Sequence, residues 1–100
     1  MRLIKPKKPE LSPLVVRRIE GTSMWPTLVP GRLVVGRRWF SHVRPGDVII
    51  FRHQGLEKIK RVQRVEAGQV FVVGDNPDTS TDSRHFGWIP ARAVVAKIWR

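Results

Sequence analysis

An all-β fold is predicted by three features: short runs rich in β-branched residues, glycine and proline turns between them, and no helical apolar period sustained over three turns. Residues 14–19, 33–35, 47–51, 58–62 and 70–73 are the strand segments, each bounded by Gly, Pro, Asn or Asp. Pro30-Gly31, Pro45-Gly46, Ala67-Gly68 and Gly74-Asp75-Asn76-Pro77 supply the turns. Residues 91–99 fit either a short helix or a closing strand. A chain of 100 residues with 41% hydrophobic content supports one domain with a modest core. The expected organisation is a flexible basic arm over residues 1–13 and a folded domain over 14–100. The domain should be a strongly curved sheet or partial barrel with little helix.

Charge and composition narrow the partners. The 19 Lys+Arg against 8 Asp+Glu give a net charge of +11, which favours lipid headgroups, nucleic acid or acidic proteins. There is no cysteine, so disulfides and thiolate metal sites are excluded. The basic start, with prolines at 6 and 9, lacks the apolar stretch of about 7–15 residues that a signal peptide requires. No run approaches the roughly 20 apolar residues that span a bilayer. The expectation is a cytoplasmic protein or one peripheral at a membrane surface, without a transmembrane segment.

Two residues suggest chemistry. Ser23 follows a strand segment and precedes a Met24-Trp25-Pro26 bend, a place where a rigid scaffold can expose a hydroxyl. Lys60 lies in a strand with Lys58 two residues before it, so both face one side while Ile59 and Arg61 face the other. A serine hydroxyl needs a base within hydrogen-bond reach, and a desolvated neutral lysine can serve. Each residue also has a plainer reading. Ser23 could cap a strand end, and the lysines could keep an edge strand soluble. The spacing does not choose between Lys58 and Lys60. Residues 74–84 are dense in Asp, Ser, Thr and Asn, as an ordinary turn-rich loop would be, and lack the glycine and terminal glutamate of an EF-hand. His42, His53 and His85 have no metal-like spacing, and nucleotide-binding glycine patterns are absent. No metal or cofactor is expected.

Four segments, in this order, resemble the bacterial type I signal peptidase family of serine endopeptidases. Gly21-Thr22-Ser23-Met24-Trp25-Pro26-Thr27-Leu28 is similar to its nucleophile box, and Pro45-Gly46-Asp47-Val48-Ile49-Ile50-Phe51 to the strand that follows. Ile59-Lys60-Arg61-Val62 resembles the lysine box and selects Lys60 over Lys58. Gly74-Asp75-Asn76 through Ser80, Asp82, Ser83, Arg84 and Phe86-Gly87 resembles the closing box. The resemblance implies the family's catalytic-domain fold, a β-clip shared with SOS-type repressors, which lack the closing box. It implies Ser23 as nucleophile, Lys60 as general base, Ser80 as the residue that orients the amine by donating its hydroxyl hydrogen, and Asp82 paired with Arg84. Gly21, Thr22 and Met24 flank the serine in support. Some members carry a serine at the position of Gly21 as an oxyanion donor, so here only backbone donors would remain.

The family's membrane anchors have no counterpart in this sequence. In that respect it resembles the short branch that matures nickel-type superoxide dismutase by removing an N-terminal extension. The alternative within the family is a divergent member acting on secretory signal peptides from the membrane surface. The implied substrate is a precursor protein or signal peptide, held extended against a strand edge with small side chains at alternate positions. Peripheral contact with an anionic membrane would follow from the charge and the tryptophans. The rival from another class is a non-catalytic basic β-barrel that stacks nucleic-acid bases on Trp25, Trp39, Phe40 and Trp88. Its binding would fall steeply with salt and survive loss of Ser23. The motif order favours the peptidase, with no nucleic acid as partner.

Overall fold

The computed structural model describes residues 12–99, so the arm expected over 1–13 lies outside the described residues up to position 11. Positions 12 and 13 are tied to the sheet: the Arg38 N–H donates to the Pro13 carbonyl at 2.7 Å and Arg38 Nε to that of Ser12 at 3.1 Å.

The described residues form one open, curved antiparallel sheet. Its strands are β1 (Leu14–Arg18), β2 (Leu33–Arg37), β3 (Val48–His53), β4 (Leu56–Glu66), β5 (Gln69–Val73), β6 (Ile89–Pro90) and β7 (Val94–Ile98). They lie in the order β1-β2-β7-β3-β4-β5-β6. The all-β expectation holds, and the sequence segments fall on β1 to β5. β4 is longer than expected because tight turns flank it. Gln54-Gly55 and Ala67-Gly68 have φ of 52°, 79°, 48° and 77°. Two successive positive φ values match the right-handed twist of a two-residue hairpin, and they carry β4 to its full 11 residues. The ambiguous 91–99 segment resolves as a 3-10 turn (Ala91–Ala93) leading into β7, whose Val94 and Val95 suit a strand inserted between β2 and β3. The four-residue helix α1 (Ser83–Phe86) was not expected, since it rests on a cap and not on a hydrophobic period.

β3 explains the curvature. Val48 and Ile50 join Val15, Met24, Leu28 and Ile98 in one core cluster, while Ile49 and Phe51 join Val62, Val70, Val72 and Ile89 in another. A strand buried on both faces requires the sheet to wrap around it. Register shifts at Ile50/Phe51 and Val62/Arg64 mark bulges, which bend strands. The curl returns edge strand β1 towards β4, where Arg17 Nε and Nη2 donate to Glu57 at 2.7 and 3.0 Å. Among the described residues no helix is long and apolar enough to cross a membrane.

Candidate active site

Ser23 sits in the loop that leaves β1. The loop is closed at its base by Ile19 N–H to Arg32 O and Gly31 N–H to Ile19 O, both 2.8 Å. Met24 and Leu28, 1% and 5% exposed, anchor it in the core beneath. Gly21 has φ +73° and no atom within 4 Å of a Cβ built on it, so conformation and not space favours glycine there. The segment after β5 straps the loop from above. Asn76 N–H donates to the Ser23 carbonyl at 2.8 Å and Asn76 Nδ2 to that of Thr22 at 3.1 Å. Thr22 Oγ1 donates to Thr79 Oγ1 at 3.0 Å. Asp75 accepts from Thr27 Oγ1 at 2.6 Å and from Arg61 Nε and Nη2 at 2.8 Å each, coupling the serine loop to β4. This clamp was missed in the sequence, because which arginine of β4 meets Asp75 depends on the register.

β4 brings Lys60 to the serine. Lys60 is paired across the sheet with Ile49 and shares a face with Phe51 and Val62. That apolar surround leaves it 6% exposed, and its Nζ donates to Ser23 Oγ at 2.7 Å. Burial pushes the Lys60 pKa down; the Asp82 charge opposes this, and Lys58 and Arg84 reinforce it.

Asp82 is fully buried and accepts from the Gly74 N–H at 2.8 Å, Ser80 Oγ at 2.5 Å, and Arg84 Nε and Nη2 at 2.9 and 2.6 Å. It also caps α1, accepting from the Arg84 N–H at 3.1 Å. Burial disfavours its charge, but the bonds from Arg84, Ser80 and the two N–H groups outweigh burial and hold the carboxyl well below the usual range. The Ser80 placement corrects the sequence expectation. Its single hydroxyl hydrogen goes to Asp82, the stronger acceptor in a dry site, so it is not available to the Lys60 amine. Ser80 thus bonds the carboxylate whose charge opposes the fall in the Lys60 pKa.

Ser23 and Lys60 open onto a groove of about 470 Å³ between residues 17–22 and the start of β4, with Ile50 and Ile59 among its lining. Among the described residues no three His, Asp or Glu side chains converge as a metal cage would require. Gly74 marks the tightest approach. A Cβ there would lie 2.2 Å from Ser80 Oγ and 2.6 Å from the Ser23 carbonyl oxygen. Gly74→Ala should therefore displace the strap and lose about 2 kcal/mol or more of stability, read by urea unfolding. A variant as stable as the parent would contradict this packing.

Part of the chain is similar to known proteins. Residues 53–99 match the family model for signal peptidase, peptidase S26. That span holds Lys60, Ser80, Asp82 and Arg84, while Ser23 lies before it. Signal peptidase I of Bacillus caldolyticus is 44% identical over 43 residues, 43% of this chain and 24% of the relative. Signal peptidase I of Haemophilus influenzae is 37% identical over 59 residues, 56% of this chain and 16% of the relative. That of Buchnera aphidicola is 36% identical over 52 residues, 49% of this chain and 16% of the relative. The chain thus spans a quarter or less of the length of the curated relatives it matches. The motifs in order, the β fold and these partial matches make the chain similar to type I signal peptidases.

Proposed function

We propose that this chain is a serine endopeptidase that removes an N-terminal signal or pro-segment from a precursor protein, with Ser23 as nucleophile and Lys60 as general base. The observation that carries the reading is the 2.7 Å contact between a buried lysine amine and the serine hydroxyl. With Lys60 neutral, the bond reverses and the hydroxyl donates to the amine. Lys60 takes that proton as Ser23 Oγ bonds to the scissile carbonyl carbon. The resulting oxyanion would be met by the Ser23 N–H, which makes no hydrogen bond within the described residues. As the C–N bond breaks, the lysine returns the proton to the leaving amine. Water, deprotonated by the same lysine, then releases the acyl group.

The groove with Ile50 and Ile59 in its lining suits an extended chain with small side chains at alternate positions. Exposed Trp25 and Trp39, 52% and 63% accessible, support contact with an anionic membrane surface. The nucleic-acid reading loses one of its stacking platforms. Trp88 is half-buried, packed edge-on against Phe71 and covered by Arg64.

The test is a set of ten-residue peptides that differ in one side chain at the cleavage point. Cleavage should follow alanine or glycine, fail with leucine and continue in the presence of a chelator, as read by mass spectrometry. A protein that cleaves none of them, yet retains salt-sensitive nucleic-acid binding after Ser23→Ala, would overturn the proposal.

A further inference from the structure

One face of β1 and β2 is apolar and bare. Val15 and Val34 point into the core, so Leu14 and Val16 of β1 and Leu33 and Val35 of β2 point the other way. All four are exposed, Val16 and Leu33 by 52% and 54%, and Val16 stands directly opposite Val35. The β2–β7 register carries exposed Trp99 beside Val35, whose carbonyl accepts from the Trp99 N–H at 2.8 Å. On the same side of β3, Ile49 is buried in the cluster against which Val43 and Phe86 pack. Among the described residues no such cover reaches β1 or β2. Adjoining exposed apolar side chains of this kind mark an interaction surface.

Charge selects the partner. Arg18 lies across from Leu33 and Arg37 across from Leu14, so a guanidinium stands at each end of the apolar strip. Among the described residues neither is paired with a carboxylate, and β1, β2 and β7 contain no Asp or Glu. Arg37, Lys97 and Trp99 also line a cavity of about 460 Å³, where Asp47 is held by Lys97 at 3.2 Å and leaves Arg37 unmatched. The sequence that enters β1 at the Arg37 end carries Arg2, Lys5, Lys7 and Lys8. Like charges weigh against a second copy of this face, or the chain's own basic start, as its cover. A nucleic acid would leave the aliphatic strip in water. We propose that this face seats on an anionic bilayer, with Val16, Val35 and Trp99 at the acyl–headgroup boundary and Arg18 and Arg37 on lipid phosphates. The inference deepens the membrane contact of the peptidase reading and rests on that reading only for what the groove does. Arg17 and Arg18 of β1 line the groove, so the seating lays it beside the headgroups and selects precursors held at a membrane surface.

The test is sedimentation of the full chain with vesicles of phosphatidylcholine, alone or mixed with phosphatidylglycerol. The chain should pellet with the mixed vesicles, and less so as salt rises. Val16→Ser combined with Val35→Ser leaves the charge unchanged and should weaken binding about tenfold through lost apolar contact. Leu33→Ser is the second probe of the strip should the double variant fail to fold. Arg37→Gln should also weaken binding and flatten its salt dependence. Val65→Ser, at an exposed aliphatic of β4, should leave binding unchanged. Undiminished binding by the serine variants of the strip, or an equal loss in Val65→Ser, overturns the proposal. So does failure to bind either vesicle, which would leave an acidic protein surface as the occupant. Cleavage of soluble peptides without lipid is scored separately, and the Val16→Ser, Val35→Ser chain should match the parent. Vesicle binding through the strip without cleavage counts against the peptidase alone, and cleavage without that binding counts against this face alone.

Discussion

Lys60→Met should abolish peptide cleavage while raising the stability of the fold. The methionine keeps the length and apolar stem of the side chain but cannot accept the Ser23 proton. A positioned general base contributes on the order of 10²–10⁴ in rate, and loss of the nucleophile by Ser23→Ala should cost at least as much. The stability gain has a definite sign. The folded-state pKa of Lys60 is depressed, first by burial, so the native state holds the proton less tightly than the unfolded chain. Below the folded pKa the buried ammonium is a penalty, which is relieved as pH rises towards the unfolded value of about 10.4. Lys60→Met removes the penalty at neutral pH, so its melting temperature should exceed that of the parent and the difference should shrink in alkali.

The same depression governs the rate. kcat/KM should rise with pH along a limb whose apparent pKa lies below that of free lysine. A limb near 10.4 would mean a solvated amine and would remove Lys60 from the role of base. Ser80→Ala should move the limb upward, because Asp82 loses a donor and its charge draws the Lys60 proton more strongly. Lys58→Ala should retain cleavage, again with the limb displaced upward, because Lys58 helps to hold the Lys60 pKa down.

The strands were readable because β-branched runs and their turns are local signals, and Ala67-Gly68 even marks its hairpin loop correctly. The pairing of Ser23 with Lys60 was not local. Period-two geometry puts Lys58 and Lys60 on one face and stops there. What separates them is Ile49 across the sheet and Val62 alongside, a long-range burial that only the resemblance of residues 59–62 anticipated. The Thr27–Asp75–Arg61 clamp and the Arg17–Glu57 bridge were invisible for the same reason, since each needs strand register or sheet curl. α1 escaped because four residues carry no period. Its signal was Asp82 with His85 three positions on, a capping pair hidden in a stretch that reads as a loop. Ser80 shows the limit of analogy: its neighbourhood was legible, but the direction of its hydroxyl is decided by competition between two acceptors.

Asp82→Asn should be among the most damaging single changes outside the dyad, and its effect should depend on pH. The carboxylate satisfies the Gly74 N–H, the Ser80 hydroxyl and the Arg84 fork at once, and it starts α1. Asparagine keeps one acceptor oxygen but turns an NH₂ towards these donors, leaving buried groups unsatisfied. Orphaning a buried ion-pair partner costs about 3–5 kcal/mol, but Arg84 is 41% exposed and solvent recovers part of that, so about 2–3 kcal/mol is expected. That is a large share of the roughly 5–15 kcal/mol that holds a domain together. The pH window follows from the depressed pKa. The carboxylate's contribution is present above its unfolded value of about 3.9 and is lost as pH falls through the lower folded value. Urea unfolding from pH 7 to pH 2 should therefore show the parent losing stability steeply in acid and Asp82→Asn losing much less, so that the two curves converge. Parallel curves would mean that Asp82 is not the anchor of the acid transition. The substitution should reach the serine as well, because Gly74 is bonded to Asp82 and lies against the Ser23 carbonyl. Peptide cleavage should fall with the unfolding midpoint still well above assay temperature, which places Asp82 as a positioning residue for Ser23 and Lys60.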